Sequence, residues 1–174
     1  TVKADTTVMC LTKKQGCYTG DGVKCSGNLI YDNLGIKNIR NLVDSNVSLI
    51  STEQYKPIKR NITSHKGNFG NLLIIGGWDG MLGAANLCGL AALRTGVGKV
   101  FLCSNNEIKR SNEIISVPTC LSQLKKLINK TQAAVIGPGL GQNAHDIINF
   151  LWNSKKPLVI DADGLNWVSK YFLK

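Results

Sequence analysis

The sequence lacks a long hydrophobic run and a visible secretory signal. Its apolar runs, at residues 72–75 and 158–160, are strand-sized and much shorter than the roughly 20 residues that cross a bilayer. Thr1 is not an initiator methionine, and no basic segment leading into an apolar stretch follows it. We therefore expect a cytoplasmic protein with no membrane partner. The missing methionine leaves open that the chain was cut from a longer one.

The sequence also lacks the paired ligands of a metal cluster. None of its six cysteines forms a C-x-x-C pair, and His65 and His145 stand alone. Because structural zinc sites use closely spaced pairs, we expect this chain to bind no metal of its own. Cys88 lies in a helical pattern and Cys103 ends an apolar strand, positions where cysteine behaves as a small hydrophobic residue. The prediction is free, mostly buried thiols in a reducing compartment.

Clustered arginine and aromatic residues, which mark nucleic-acid-binding surfaces, are missing as well. The 21 lysines and arginines exceed the 11 acidic residues and give a net charge of +10. The excess is mostly lysine and is scattered, as at residues 13–14, 125–126 and 155–156. We therefore expect a solvated basic surface and no nucleic-acid partner.

What the sequence does contain is enough chain for a core and an alternation of strands and helices. Its 174 residues are 43% hydrophobic, which excludes a wholly disordered protein. Residues 1–50 predict two strands, at 6–11 and 28–36, and residues 51–64 predict a linker. Further strands are predicted at 72–75, 99–103, 133–136 and 158–160, and helices at 84–94, 121–128, 144–152 and 166–172. This alternation predicts an α/β fold with a doubly wound, mainly parallel sheet.

Two glycine-rich segments follow strands of this predicted sheet. Residues 76–85 connect a strand to a helix, but they match neither G-x-G-x-x-G nor the P-loop. Residues 137–141 place three glycines around a proline, which predicts a rigid turn with exposed backbone donors. Ligands of such sheets bind at the carboxyl ends of the strands, so both segments are candidate binding loops. Tight strand-to-helix turns explain the same glycines without any ligand.

A third segment, residues 161–163, carries two carboxylates at the end of the last predicted strand. Asp161 is the candidate ligand-facing carboxylate, able to orient a ligand or hold Mg²⁺ through water. Asp163 has a simpler explanation as the cap of the following helix. No second titratable partner is evident, so these residues do not identify a general acid or base.

Taken together, these segments resemble a known family. The motifs that carry the resemblance are residues 65–70, 73–77, 80–85, 91–98, 136–141 and 161–166. In this order they are similar to the ADP- or ATP-dependent NAD(P)H-hydrate dehydratases, which belong to the ribokinase-like superfamily. Residues 2–8, 14–16 and 27–29 are similar to the end of an NAD(P)H-hydrate epimerase domain, which bacteria commonly fuse ahead of the dehydratase.

The resemblance implies a division of the chain and a reaction. Residues 1–50 would be the remnant of an epimerase-like domain, and residues 65–174 the first half of a ribokinase-like domain with an incomplete sheet. The parent enzyme would use ADP or ATP with Mg²⁺ to dehydrate the S-epimer of hydrated NADH or NADPH. Its epimerase part would use K⁺. Association of the chain with copies of itself stays open.

The resemblance also implies substrate contacts. Those expected in this chain are Ala84 and Gly139, with Gly77, Gly83, Gly137, Gly141 and Asp161 around them. Trp78 departs from the small residue expected in the first glycine segment, and its ring would narrow the substrate channel. The catalytic aspartate and the anion hole would follow Lys174, so this chain by itself is expected to have little or no activity.

Two alternatives remain at this point. Another ribokinase-like kinase for a small molecule would share the sheet and the aspartate segment. A truncated, non-catalytic remnant of the enzyme would contain the same motifs.

Overall fold

The computed structural model describes residues 2–39, 45–54, 56–57, 59–78, 80–105, 112–141 and 144–172. The chain forms two compact units, Thr1–Lys56 and Pro57–Lys174. The boundary between them lies within residues 51–64. In the parts of the chain that are described, no helix is both long and apolar enough to cross a membrane.

The first unit is built on two parallel strands. Strand β1 (Thr6–Cys10) pairs with β2 (Asn28–Asp32), and Thr6 lies opposite Asn28. The connection between them contains a 3-10 turn at Gln15–Cys17 and the short helix α1 (Gly22–Cys25). Met9 is the buried hydrophobic residue of this unit. Both predicted strands are confirmed, although β2 ends at residue 32 and not at 36.

The second unit is a five-stranded, fully parallel sheet. Its strands are β3 (Asn71–Ile75), β4 (Lys99–Cys103), β5 (Ile114–Val117), β6 (Ala133–Ile136) and β7 (Leu158–Ile160). Their order across the sheet is β5-β4-β3-β6-β7. The chain therefore moves outward in one direction from β3 to β5 and then returns to build the other side. That reversal beside β3 is the point where doubly wound sheets bind ligands.

Helices connect these strands and cover the sheet. They are α2 (Leu82–Thr95), α3 (Leu121–Ile128), α4 (His145–Trp152) and α5 (Asp163–Phe172). Helix α2 ends at Gly96, whose φ of 115° is a left-handed conformation that glycine adopts easily. All four helices were predicted, three of them from the spacing of their side chains, and α3 has the predicted bounds.

The two faces of the sheet are covered unequally. On one face, Leu73 and Ile75 of β3 belong to a cluster with residues of α3, α4 and α5. The alternate residue Ile74 points to the other face, where its cluster contains Ala85 of α2. Within the described residues, three helices thus cover the first face and α2 alone covers the second.

Two features differ from the sequence predictions. Strand β5 was not predicted, because its four residues include a polar serine and lie at the edge of the sheet, where Ile115 is exposed. The six cysteines are free, as predicted, but they are not mostly buried. Cys103 is buried, whereas Cys10 and Cys120 are exposed and the other three are half-buried.

Candidate functional site

The two glycine segments lie side by side and are joined through their backbones. The N–H of Gly77 donates to the carbonyl oxygen of Pro138 at 3.0 Å, and the N–H of Trp78 donates to that of Gly139 at 2.7 Å. This contact is possible because β3 and β6 are neighbours, so their carboxyl ends meet at one edge. The first glycine loop (residues 76–83) and the second glycine loop (residues 137–141) therefore form one platform.

Glycine is required where these backbones touch. Gly137 has a φ of 124°, and a Cβ there would overlap the carbonyl oxygen of Asp161 and lie 2.9 Å from the nitrogen of Gly164. A Cβ at Gly139 would lie 2.7 Å from both the Cβ and the carbonyl oxygen of Met81. The glycines thus allow the loops to approach one another closely.

The aspartate segment (residues 161–163) completes the platform. The N–H of Asp161 donates to the carbonyl oxygen of Ile136 at 3.0 Å, and the Asp163 carboxylate accepts a 2.8 Å hydrogen bond from the N–H of Gly141. Asp163 was predicted to cap the following helix, but it is the first residue within α5, and its carboxylate binds the second glycine loop. Three segments from separate parts of the sequence are therefore fixed together at one edge of the sheet.

Beside this platform is a groove of about 560 Å³. It runs between one flank of α2 and the ends of β6 and β7. Its lining residues are Ala84, Leu87, Cys88, Ala91, Val135, Pro138, Gly139, Val159, Ile160, Asp161 and Ala162. The lining is apolar except at the sheet edge, where Asp161 supplies the charge among the described lining residues. This combination of an apolar wall with one placed polar group is typical of small-molecule sites.

Asp161 influences the pKa of a thiol on the opposite wall of the groove. Burial is the main reason why the pKa of the Cys88 thiol is raised, and the negative charge of Asp161 raises it further. Cys88 is therefore a neutral thiol near neutral pH, and it adds no charge to the groove. Asp161 is itself exposed and is the acidic side chain among the described lining residues.

The structure brings three of the predicted site residues together in this groove and places the other four around it. Ala84, Gly139 and Asp161 all line it. Gly77 and Gly137 are buried in the platform, Gly141 bonds to Asp163, and Gly83 lies in the first turn of α2 with open space at its Cα.

Two details of the sequence analysis are wrong. Three N–H groups of the second glycine loop, those of Gly137, Leu140 and Gly141, are not exposed donors, because they bond within the protein. Trp78 does not line the groove; its side chain packs against the cluster on the opposite face of the sheet. The ring therefore leaves the groove as wide as a smaller residue would.

Sequence reasoning missed most of the apolar wall. Leu87, Cys88 and Ala91 follow Ala84 at the i+3, i+4 and i+7 spacing of one helical flank. That spacing was available in the sequence and could have identified them. Val159 was missed because strand residues of a parallel sheet are expected to be covered on both faces.

The described residues offer little to a resident metal ion. No group of three or more His, Cys, Asp or Glu side chains comes together among them. Mg²⁺ commonly binds one or two protein carboxylates, several waters and the phosphates of a substrate. Asp161 could supply the one protein carboxylate of such a site. A nucleotide-bound Mg²⁺ therefore fits the sheet edge, whereas the described residues alone do not assemble a metal site.

Comparison with known proteins gives a consistent result. Residues 72–172 match the family model described as NAD(P)H-hydrate dehydratase. The chain is 34% identical over 176 residues to the bifunctional NAD(P)H-hydrate repair enzyme Nnr of Escherichia coli, covering 95% of this chain and 34% of the relative. It is 35% identical over 113 residues to the ADP-dependent (S)-NAD(P)H-hydrate dehydratase of Neisseria meningitidis, covering 61% of this chain and 38% of that one.

Solved structures agree on the fold. The ADP/ATP-dependent NAD(P)H-hydrate dehydratase of Bacillus subtilis, co-crystallised with ATP/Mg²⁺, has a TM-score of 0.51 and 29% identity, covering 62% of this chain and 42% of that one. A ribokinase-like superfamily protein from Enterococcus faecalis has a TM-score of 0.60 and 24% identity, covering 64% and 43%. The chain spans about a third of the length of the bifunctional relatives and less than half of these structures.

Proposed function

Because the chain belongs to the NAD(P)H-hydrate dehydratase family, we propose that it forms the substrate platform of a nicotinamide-nucleotide repair enzyme. The ligand of the groove would be the S-epimer of hydrated NADH or NADPH. The whole enzyme would remove water from it with ADP or ATP as phosphoryl donor. The α/β, ribokinase-like fold is shared with the solved structures whatever ligand the groove binds.

One observation carries the proposal. Ala84, Gly139 and Asp161 come from three separate segments and line one groove at the carboxyl edge of the sheet. The family resemblance implies substrate contacts at Ala84 and Gly139, and the position of Asp161 at a strand end predicts a ligand-facing carboxylate. The platform beneath them is held by backbone hydrogen bonds, so the groove is preorganised for a ligand.

The groove supports binding better than it supports catalysis. Transfer of a phosphoryl group to the substrate hydroxyl, which then leaves as phosphate, needs a base for the hydroxyl proton and cationic or backbone donors for the transferring phosphoryl group. Among the described lining residues, Asp161 is the acidic side chain, none is a lysine or arginine, and the raised pKa of Cys88 keeps its thiol protonated. We therefore propose that the catalytic aspartate and the anion hole are supplied from outside this chain. Asp161 would help to hold the nucleotide-bound Mg²⁺ through water.

The first unit is proposed to be the end of an epimerase domain. Support comes from the bifunctional relatives, with which the alignment covers 95% of this chain. We assign no K⁺ site to the described residues, because they bring no set of three acidic, His or Cys side chains together. A cytoplasmic setting is proposed as well, and the six free thiols support it.

Two measurements on the purified chain test this function. Titration calorimetry with the S-epimer of hydrated NADH should give saturable heat, whereas inosine, a ribonucleoside without the hydrated nicotinamide ring, should give none. Formation of NADH, followed by its absorbance with ADP or ATP and Mg²⁺ present, should stay at the uncatalysed rate. Saturable binding of inosine, or no binding of the hydrate, would contradict the proposed ligand. Catalysed formation of NADH would contradict the proposal that the catalytic aspartate and the anion hole are supplied from outside this chain.

A further inference from the structure

Ser104 follows β4 directly and carries a buried hydroxyl at the same edge of the sheet as the glycine loops. The residue is 9% exposed, and it does not line the groove. Its hydroxyl donates to the carbonyl oxygen of Gly77 at 2.8 Å. The end of β4 is therefore a fourth segment fixed to the platform, and here a side chain makes the contact.

The chain leaves the regular strand pattern at Gly77. In a regular parallel strand, the N–H groups of successive residues point alternately toward the two neighbouring strands. The N–H of Gly76 donates to the end of β4 and that of Gly77 to the loop after β6, as this alternation requires. The next N–H, that of Trp78, should return toward β4, but it donates to Gly139 on the β6 side. The φ of 79° at Gly77 allows this reversal, because glycine has no Cβ.

The hydroxyl of Ser104 stabilises this reversed peptide group. The carbonyl of Gly77 and the N–H of Trp78 belong to one planar trans peptide group, in which they point in opposite directions. Ser104 binds the carbonyl on the β4 side, and the carbonyl oxygen of Gly139 accepts the N–H on the β6 side at 2.7 Å. Rotation of the peptide group would break both hydrogen bonds together. The side chain of Ser104 and the backbone of Gly139 are thus coupled through one rigid unit.

We propose that Ser104 is a positioning residue for the ligand of the groove. It fixes the peptide group between Gly77 and Trp78, and that peptide group fixes Gly139, which lines the groove. Ser104 thus acts through Gly139 and does not line the groove itself. The effect on ligand binding rests on the proposed function, whereas the effect on the peptide group does not.

Hydrogen exchange at Trp78 tests the effect on the peptide group without any ligand. Isotopic labelling of tryptophan nitrogen gives three backbone amide signals, those of Trp78, Trp152 and Trp167, and Trp78→Phe identifies the first. In Ser104→Ala, the exchange rate of the Trp78 amide should rise at least about fivefold, because the peptide group has lost a hydrogen bond. The Trp152 and Trp167 amides, which lie in α4 and α5, should stay within about twofold of the native rates.

Calorimetric titration with the S-epimer of hydrated NADH tests the effect on the ligand. Ser104→Ala should weaken binding at least about fivefold, because Gly139 is no longer held in one position. Ser104→Thr keeps the hydroxyl. It should return the affinity and the Trp78 exchange rate to within about twofold of the native chain.

Ser154→Ala is the matched control. It also removes a serine hydroxyl that donates to a backbone carbonyl, that of Leu151 at 2.6 Å, but it does so after the end of α4. Neither the affinity for the hydrate nor the exchange rate of the Trp78 amide should change by more than about twofold.

Three results would overturn the proposal. One is an unchanged exchange rate of the Trp78 amide in Ser104→Ala. Another is an equal acceleration of all three tryptophan amides, which would mean a general loss of stability. The third is faster exchange at Trp78 with unchanged affinity for the hydrate. Failure of the native chain to bind the hydrate would contradict the proposed function, and the exchange rates would still show whether Ser104 fixes the peptide group.

Discussion

Replacing Gly137 by alanine should destabilise the second unit severely, because this glycine lies where two loops cross. Its φ of 124° belongs to a region that residues with a Cβ rarely adopt, at a cost of about 1–3 kcal/mol. The added Cβ would also overlap the carbonyl oxygen of Asp161 and lie 2.8 Å from its carbonyl carbon. Both are backbone atoms, so the aspartate segment itself would have to move. We expect a loss of at least about 3 kcal/mol in the free energy of unfolding.

Gly83→Ala is the matched control for this prediction. Gly83 is also a predicted site residue, but it lies in α2 and no atom lies within 4 Å of where its Cβ would be. Alanine is a better helix former than glycine, so this substitution should raise the free energy of unfolding by up to about 1 kcal/mol. The same glycine-to-alanine change is therefore expected to lower the free energy of unfolding at Gly137 and to raise it at Gly83.

Tryptophan fluorescence during guanidinium unfolding measures both variants. The chain has three tryptophans, Trp78, Trp152 and Trp167, and all of them lie in the second unit. The fluorescence change thus reports the unit that contains the platform. A loss below about 1 kcal/mol for Gly137→Ala, or a comparable loss for Gly83→Ala, would refute the interlocked platform.

Three further predictions concern single side chains around the platform and at the start of α3. Ala162 has a φ of 45°, which glycine adopts with less strain, so Ala162→Gly should raise the free energy of unfolding by about 0.5–1 kcal/mol. Denaturant unfolding measures this change, and a lower free energy of unfolding would show that the conformation of Ala162 is not strained. Asp163→Ala removes the acceptor of a 2.8 Å hydrogen bond and should cost about 1.5–3 kcal/mol, whereas an unchanged unfolding midpoint would mean that the bond does not stabilise the platform. Hydrogen bonds from Ser122 lower the pKa of the Cys120 thiol, and burial raises the pKa of Cys103 to about 12. Near neutral pH, iodoacetamide should therefore modify Cys120 first, and Ser122→Ala should slow it about threefold by raising the pKa of Cys120.

The strands and helices could be predicted because each carries a local signal. Residues 72–75 form a continuous apolar run that two glycines end, and the spacing within α3 is that of one helical face. The one strand that was missed, Ile114–Val117, has four residues and is exposed on one side at the sheet edge. An element that short leaves too few apolar positions to distinguish it from a loop.

The crossing of the loops could not be predicted in the same way. Gly137 and Asp161 are 24 positions apart, and they meet because β6 and β7 are neighbours that end together. Strand order is set by how whole helices pack on the sheet, which no short segment encodes. For the same reason the second glycine loop was assigned exposed donors, whereas the N–H of Gly137 donates to Ile75 of β3 and that of Gly141 donates to the Asp163 carboxylate.

The open flank of α2 shows a similar limit. Its apolar stripe, including Leu87 and Ala91, is visible in the sequence and would ordinarily be assigned to the core. It is exposed because the helices after α2 all pack on the other face of the sheet. Which face of the sheet is covered depends on where all of the helices pack, and the periodicity of one helix does not predict that.

The central claim is that the groove binds the hydrated nicotinamide nucleotide at the sheet edge, next to Ala84. Ala84→Leu adds three carbons at that point, and Ala91→Leu adds the same three carbons roughly 10 Å further along the same helix. Both positions are exposed, so neither variant should unfold the chain. In calorimetric titrations with the S-epimer of hydrated NADH, Ala84→Leu should weaken binding at least about tenfold, while Ala91→Leu stays within about twofold of the native chain. Equal affinities for the native chain and Ala84→Leu would contradict the claim.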